Sequence, residues 1–139
     1  NALTSNGHGV TPILTAIHSE KYQVLEQLLK HGVNPDTTCN SCTPLFFAVM
    51  ASRLEAVQAL VEYGASLDAA YGKLSPLHAA CRAGNAHVVQ YLIDKGANIS
   101  AICMDGGKLI TPLDIACRSN HYDIVRIIVT RQIEASIIT

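Results

Sequence analysis

One short motif occurs four times along the chain: Thr11-Pro12-Ile13, Thr43-Pro44-Leu45, Ser75-Pro76-Leu77 and Thr111-Pro112-Leu113, with the prolines 32, 32 and 36 residues apart. No other feature restricts the fold as much. A unit of this length cannot bury an apolar face by itself, so consecutive units must stack and share one elongated core. Two further residue types keep the same frame. Alanine follows each proline by four residues, at Ala16, Ala48, Ala80 and Ala116, and glycine follows the first three by 20, at Gly32, Gly64 and Gly96.

The chemistry of this frame predicts two helices per unit. Thr or Ser supplies a hydroxyl that accepts from an unpaired first-turn amide, and proline fits the next position, where no donor is needed. The alanine leaves room for a close neighbour. Apolar residues at i, i+3, i+4 spacing predict a second helix, through Val24, Leu25, Leu28 and Leu29; Val57, Leu60 and Val61; Val88, Val89, Leu92 and Ile93; and Ile124, Val125, Ile128 and Val129. The three glycines end these helices in left-handed geometry. From Gly32 and Gly64 a 12-residue return leads to the next proline, long enough for a hairpin-like loop.

Stacking of this kind accounts for an apolar composition. Hydrophobic residues make up 49% and charged residues only 15% of the 139 positions, which excludes a disordered chain. A formal net charge of -1 offers no general grip on a phosphate backbone or an anionic membrane. The longest apolar run, Leu45 to Ala51, is seven residues, well short of the ~18 that span a bilayer. No basic stretch ahead of an apolar one marks a signal peptide in these residues. Five cysteines at irregular spacing fit a reducing compartment better than a disulfide scaffold. The expected setting is intracellular, in the cytoplasm or the nucleus.

Ser75-Pro76-Leu77-His78-Ala79-Ala80, followed by Gly84, Val88-Val89, Leu92-Ile93 and Gly96-Ala97-Asn98, resembles the ankyrin repeat, whose signature is T-P-L-H-x-A at a period of about 33. The resemblance covers residues 1–139 as a single array, with repeats at roughly 9–40, 41–72, 73–108 and 109–139. It implies an all-α fold, an ankyrin-repeat solenoid of stacked helix-turn-helix units joined by β-hairpin-like loops. Hairpins and first helices would form a concave face. The motif histidine is kept only at His78, being Leu14, Phe46 and Asp114 elsewhere. The third-to-fourth connection is four residues longer than the others, which predicts a protruding finger at Met104 to Lys108 turned by Gly106-Gly107. Gln132 stands in place of the closing glycine, so the last helix is free to run on. Ile127, Ile128, Val129, Ile133, Ile137 and Ile138 are more than one inward face can hide, and the chain is expected to be an excerpt of a longer array.

No candidate for catalysis holds up. His78 and Cys81 lie three apart on one helix, as a base and nucleophile would. Yet Cys81 shares its register with Ile17, Val49 and Cys117, an apolar slot, and no third residue orients the pair. The resemblance gives His78 a hydrogen-bonding role where hairpin meets helix. Cys39-Asn40-Ser41-Cys42, with His31 and His8 nearby, offers ligands for a metal- or redox-regulated switch, but a second ligand pair is missing. Two reactive loop thiols are expected there, with Cys81 and Cys117 protected. Gly106-Gly107-Lys108 lacks the strand, spacing and hydroxyl of a phosphate loop. No cofactor and no metal is expected.

Under the ankyrin layout, residues six and seven after each proline face the concave groove: His18 and Ser19, Met50 and Ala51, Arg82 and Ala83, Arg118 and Ser119. Phe47 lines the same side, and Tyr71 and Leu74 project from the next hairpin. Phe47, Met50, Ala51, Tyr71 and Leu74 are therefore expected to form a partner-binding patch flanked by Arg82 and Arg118, residue types enriched in binding hot spots. Packing between repeats is the competing role for Phe47 and Leu74. The implied function is a protein-interaction module, an adaptor, scaffold or substrate-recognition part of a larger protein. Its ligand would be a protein or peptide with apolar anchors and some acid, and further repeats or other domains of the same protein would be its neighbours. A purely structural spacer array is the alternative.

Overall fold

The computed structural model describes residues 12–36, 43–67 and 74–138. Each repeat opens with an inner helix at its proline: α1 Pro12–His18, α3 Pro44–Met50, α5 Pro76–Ala83 and α7 Pro112–Arg118. An outer helix returns beside it: α2 Tyr22–Lys30, α4 Leu54–Glu62, α6 Ala86–Asp94 and α8 Tyr122–Ile138. Inner helices pack in sequence, α1 on α3, α3 on α5 and α5 on α7, and outer helices do likewise, α2 on α4, α4 on α6 and α6 on α8. Two helical layers result, with one continuous core between them. The expected alanines sit where inner helices approach closely, with Ala48, Ala80 and Ala116 fully buried and Ala16 nearly so.

Local chemistry builds the starts of these helices. The hydroxyls of Thr43, Ser75 and Thr111 accept from the amides of Phe46, His78 and Asp114 at 3.2, 3.3 and 3.2 Å. The outer helix α6 is capped by Asn85, whose Oδ1 accepts from the amides of His87 and Val88 at 3.0 and 3.2 Å. At the far ends, the amides of Val33, Ala65 and Ala97 donate to Leu28, Leu60 and Leu92 carbonyls at 3.1, 2.9 and 3.0 Å. That crossing bond closes the helix as a Schellman turn, one per glycine of the frame.

A second left-handed position, invisible in the repeat motif, joins each inner helix to its outer partner. It falls at Glu20, Ser52, Gly84 and Asn120, with φ of 58°, 58°, 81° and 59°. Only one of these is glycine. A side chain there costs ~1–2 kcal/mol, partly offset by the greater freedom of unfolded glycine. Ser52→Gly is therefore expected to stabilise the chain by about 0.5–1 kcal/mol in urea denaturation. Gly84→Ala has the opposite sign for two reasons: the left-handed φ, and a Cβ that would lie 2.7 Å from Cε1 of His121 in the next repeat. A loss of about 2 kcal/mol is expected, and a neutral result would mean that His121 yields freely.

The fourth repeat departs from the others in the two places anticipated. With Gln132 in the glycine position, α8 runs for 17 residues where α2, α4 and α6 have nine each. The longer connection folds into an antiparallel hairpin, β1 Cys103–Asp105 against β2 Lys108–Ile110, with Met104 opposite Leu109. Gly106 and Gly107 turn it with φ of 57° and 83°, both positive as a tight two-residue hairpin turn requires.

One expectation about burial is corrected, and one apolar residue of the helical pattern lies outside the core. Cys117, placed in the core by its register, is exposed, whereas Cys81 is buried. The slot it shares with Ile17, Val49 and Cys81 is closed by the following inner helix, and no further inner helix is described after α7. Val24, one of the apolar residues whose spacing predicts α2, is 51% exposed. Its counterparts Ala56, Val88 and Ile124 are 0–1% exposed, each covered by the outer helix of the preceding repeat. A thiol reagent added to the native chain is thus expected to modify Cys117 quickly while Cys81 and Cys103, both buried, react only on unfolding.

Candidate binding surface

Because inner helices pack side by side, their last turns form a row across the array. Residue six after each proline lies in that row: His18, Met50, Arg82 and Arg118 are all exposed. Met50 ends α3 with 45% of its surface accessible. Arg82 lies in the last turn of α5, and Arg118 ends α7. The helix C-termini beneath them carry partial negative charge, which suits cationic side chains at these positions.

The rest of the expected patch divides. Ala51, the C-cap of α3, is partly buried. Phe47 and Leu74 are partly buried and pack against the core. Phe46 is buried outright at 5% exposure. Tyr71 lies outside the described residues, as do Cys39, Cys42 and His8. The structure thus leaves Met50, Arg82 and Arg118 exposed at the same register of successive inner helices, with Phe47 and Leu74 partly buried against the core.

His78 belongs to the scaffold of this surface. Its side chain is fully buried, with Nδ1 2.7 Å from the Ser75 hydroxyl and Nε2 3.2 Å from the Ile110 carbonyl. The Ser75 amide also donates to Nδ1 at 3.4 Å. Nδ1 must therefore accept, which leaves the proton on Nε2 to bind Ile110. One neutral imidazole so closes the cap of α5 and ties it to β2 of the next repeat. Burial holds its pKa below the usual 6.5 against the opposing pull of backbone groups at Ile110 and Ala101, with Arg82 adding a smaller push in the same direction as burial. Burial also pushes the Cys81 thiol up to about 12. A protonated thiol beside an imidazole whose nitrogens are both engaged is a packing arrangement, not a nucleophile with its base.

Among the described residues, no three His, Cys, Asp or Glu side chains gather as a metal site would require. His31 is exposed at the end of α2, its Nδ1 2.8 Å from the Gln27 carbonyl. No described helix is long and apolar enough to cross a membrane.

A family model described as ankyrin repeats (3 copies) matches residues 1–71 and again 66–138. The chain belongs to the ankyrin-repeat family. No curated protein matches the sequence. Ankyrin repeats generally serve as protein–protein interaction modules and are generally not enzymes, in keeping with an ankyrin stack whose two buried polar side chains among the described residues are spent on a helix cap at Thr43 and on a cap joined to the next repeat at His78. Sequence reasoning overlooked one part of this ankyrin surface, the outward side of the β1–β2 hairpin. Ile102, Met104 and Leu109 are 56%, 51% and 65% exposed there. The available signal was the alternation of these residues with Cys103 and Ile110 about the turn, which sets one apolar set inward and a second outward.

Proposed function

We propose that this chain binds a partner protein or peptide across its concave side, as the adaptor, scaffold or recognition part of a larger intracellular protein. The observation that supports this best is the exposed row of Met50, Arg82 and Arg118, an apolar anchor beside two guanidinium groups on rigid helix ends. Such a row suits a ligand with apolar anchors and some acid, since Met and Arg are enriched at interface centres. Five cysteines at irregular spacing favour a reducing compartment.

The test is affinity capture from lysate with the wild-type chain and a Met50→Ser/Arg82→Glu variant, identifying what is lost. Both side chains are exposed, so the variant keeps its helical spectrum and melting temperature. Recovery of the dominant partner should fall by about tenfold or more, as expected of hot-spot residues. Unchanged recovery of every partner would favour the spacer array instead.

A further inference from the structure

The outer helix of the fourth repeat is apolar on two sides, and only one of them is fully covered. Ile124 and Ile128, at 1% and 0% exposure, face the core. Val125, Val129, Ile133 and Ile137 follow one another at intervals of four, so they form a single ridge along α8. A helix with two apolar sides normally has both packed. In α6 the residues at the register of Val125 and Val129 are Val89 and Ile93, 0% and 6% exposed, where α8 packs beside α6. On α8 itself Val125 and Val129 are only partly buried. The ridge then continues into solvent through Ile133 and Ile137, 54% and 77% exposed. All four side chains are β-branched and stiff at χ1, so little rotamer freedom is lost when they are covered.

Length and charge select the occupant. α8 has 17 residues against nine in each of the other outer helices. Those helices end at Lys30, Glu62 and Asp94, and the position in register with these on α8 is Thr130. A nine-residue helix laid along α8 in that frame reaches only to Thr130 and leaves Ile133 and Ile137 in water. Among the described helices, the one long enough to cover the whole ridge is α8, which in a second copy carries the same ridge. A two-fold axis across the helix makes the pairing antiparallel. Val125 and Ile137 of one copy then stand against Ile137 and Val125 of the other, with Val129 and Ile133 between them. The charges agree with this direction. Arg126 is exposed and comes alongside Glu134 of the other copy, whose side chain is 58% exposed despite its 3.8 Å contact with Arg131. A parallel pairing would set Arg126 beside Arg126, like charge against like.

We infer that two copies of this chain associate through α8, antiparallel along the ridge from Val125 to Ile137, with Arg126 of each copy paired to Glu134 of the other. The contact uses neither Met50 nor the concave side, so it stands apart from partner binding and brings two concave sides into one assembly.

Sedimentation velocity of the full chain over a concentration series is the test. A monomer–dimer equilibrium is expected, weak as small interfaces are, with no larger species, because an isologous contact closes on itself. Ile133→Glu/Ile137→Glu should raise the dissociation constant by about tenfold or more while keeping the helical spectrum and melting temperature, since both side chains are exposed. Arg126→Glu alone and Glu134→Arg alone should each weaken self-association. An equimolar mixture of those two variants should dimerise again, because opposite charges then meet at both contacts. A monomer at every concentration would overturn the pairing. Dimerisation indifferent to Ile133→Glu/Ile137→Glu, or a mixture that fails to associate, would do the same. Species that keep growing with concentration and are dispersed by Val24→Glu in α2 would show head-to-tail stacking instead and overturn it equally.

Discussion

Leu60→Ala is expected to lower the free energy of unfolding by about 3–5 kcal/mol, read as a fall in the urea midpoint. Leu60 is fully buried in α4, where α4 packs between α2 and α6, and removing its branched end leaves a cavity that two neighbouring repeats cannot both collapse into. The control is Leu28→Ala. Leu28 holds the same register in α2 but is only partly buried, and among the described residues no further outer helix covers it, so about 1–2 kcal/mol is expected. Equal losses at the two positions would mean that position in the stack does not govern the cost.

His78→Ala is expected to be comparably damaging, at about 3–5 kcal/mol, because it removes a fully buried ring and strands the Ile110 carbonyl and the Ser75 amide. The same residue makes stability depend on pH, in a direction set by its lowered pKa. Below the ordinary value the unfolded imidazole takes up a proton more readily than the folded one, so stability rises with pH through this range. This contribution is complete above pH 6.5, the unfolded value, and is lost as the pH falls through the folded one. Urea titrations across that window should show the slope in the wild type and a reduced slope in His78→Gln. A wild-type stability flat through this window would refute the buried neutral imidazole.

What the sequence revealed and what it concealed divide along a physical line. Capping hydroxyls, the proline that follows them, the tight Gly106-Gly107 turn and the run-on of α8 past Gln132 all depend on backbone chemistry within a few residues. Each was readable without neighbours. The left-handed turn residues Glu20, Ser52 and Asn120 are local too, but no glycine advertises them. Their conformation is held by bonds to the preceding helix, such as the Arg53 amide to the Ala48 carbonyl at 2.9 Å. The exposure of Cys117 and Val24 and the half-burial of Phe47 and Leu74 depend on which repeat lies alongside. A register copied from the middle of the array says too little about its flanks. The outward apolar side of the hairpin was hidden for a related reason: alternation identifies two faces but not which one meets the core.

The long α8 changes how the array comes apart. In a stack held by nearest-neighbour contacts, opening starts where the fewest contacts must break. At α2, Val24 is half exposed and Leu28 only partly covered, and among the described residues an ionic tie to the next repeat joins Glu20 to Arg53 at 3.2 Å. At the other flank Arg131, one residue before the frame position that would have stopped the helix, pairs with Asp94 at the end of α6 and also with Glu134. Arg131 thus works as a clasp across the last junction. Among the described helices the last junction is thus fastened more firmly than the first, and amide exchange in α8 is expected to be slower than in α2.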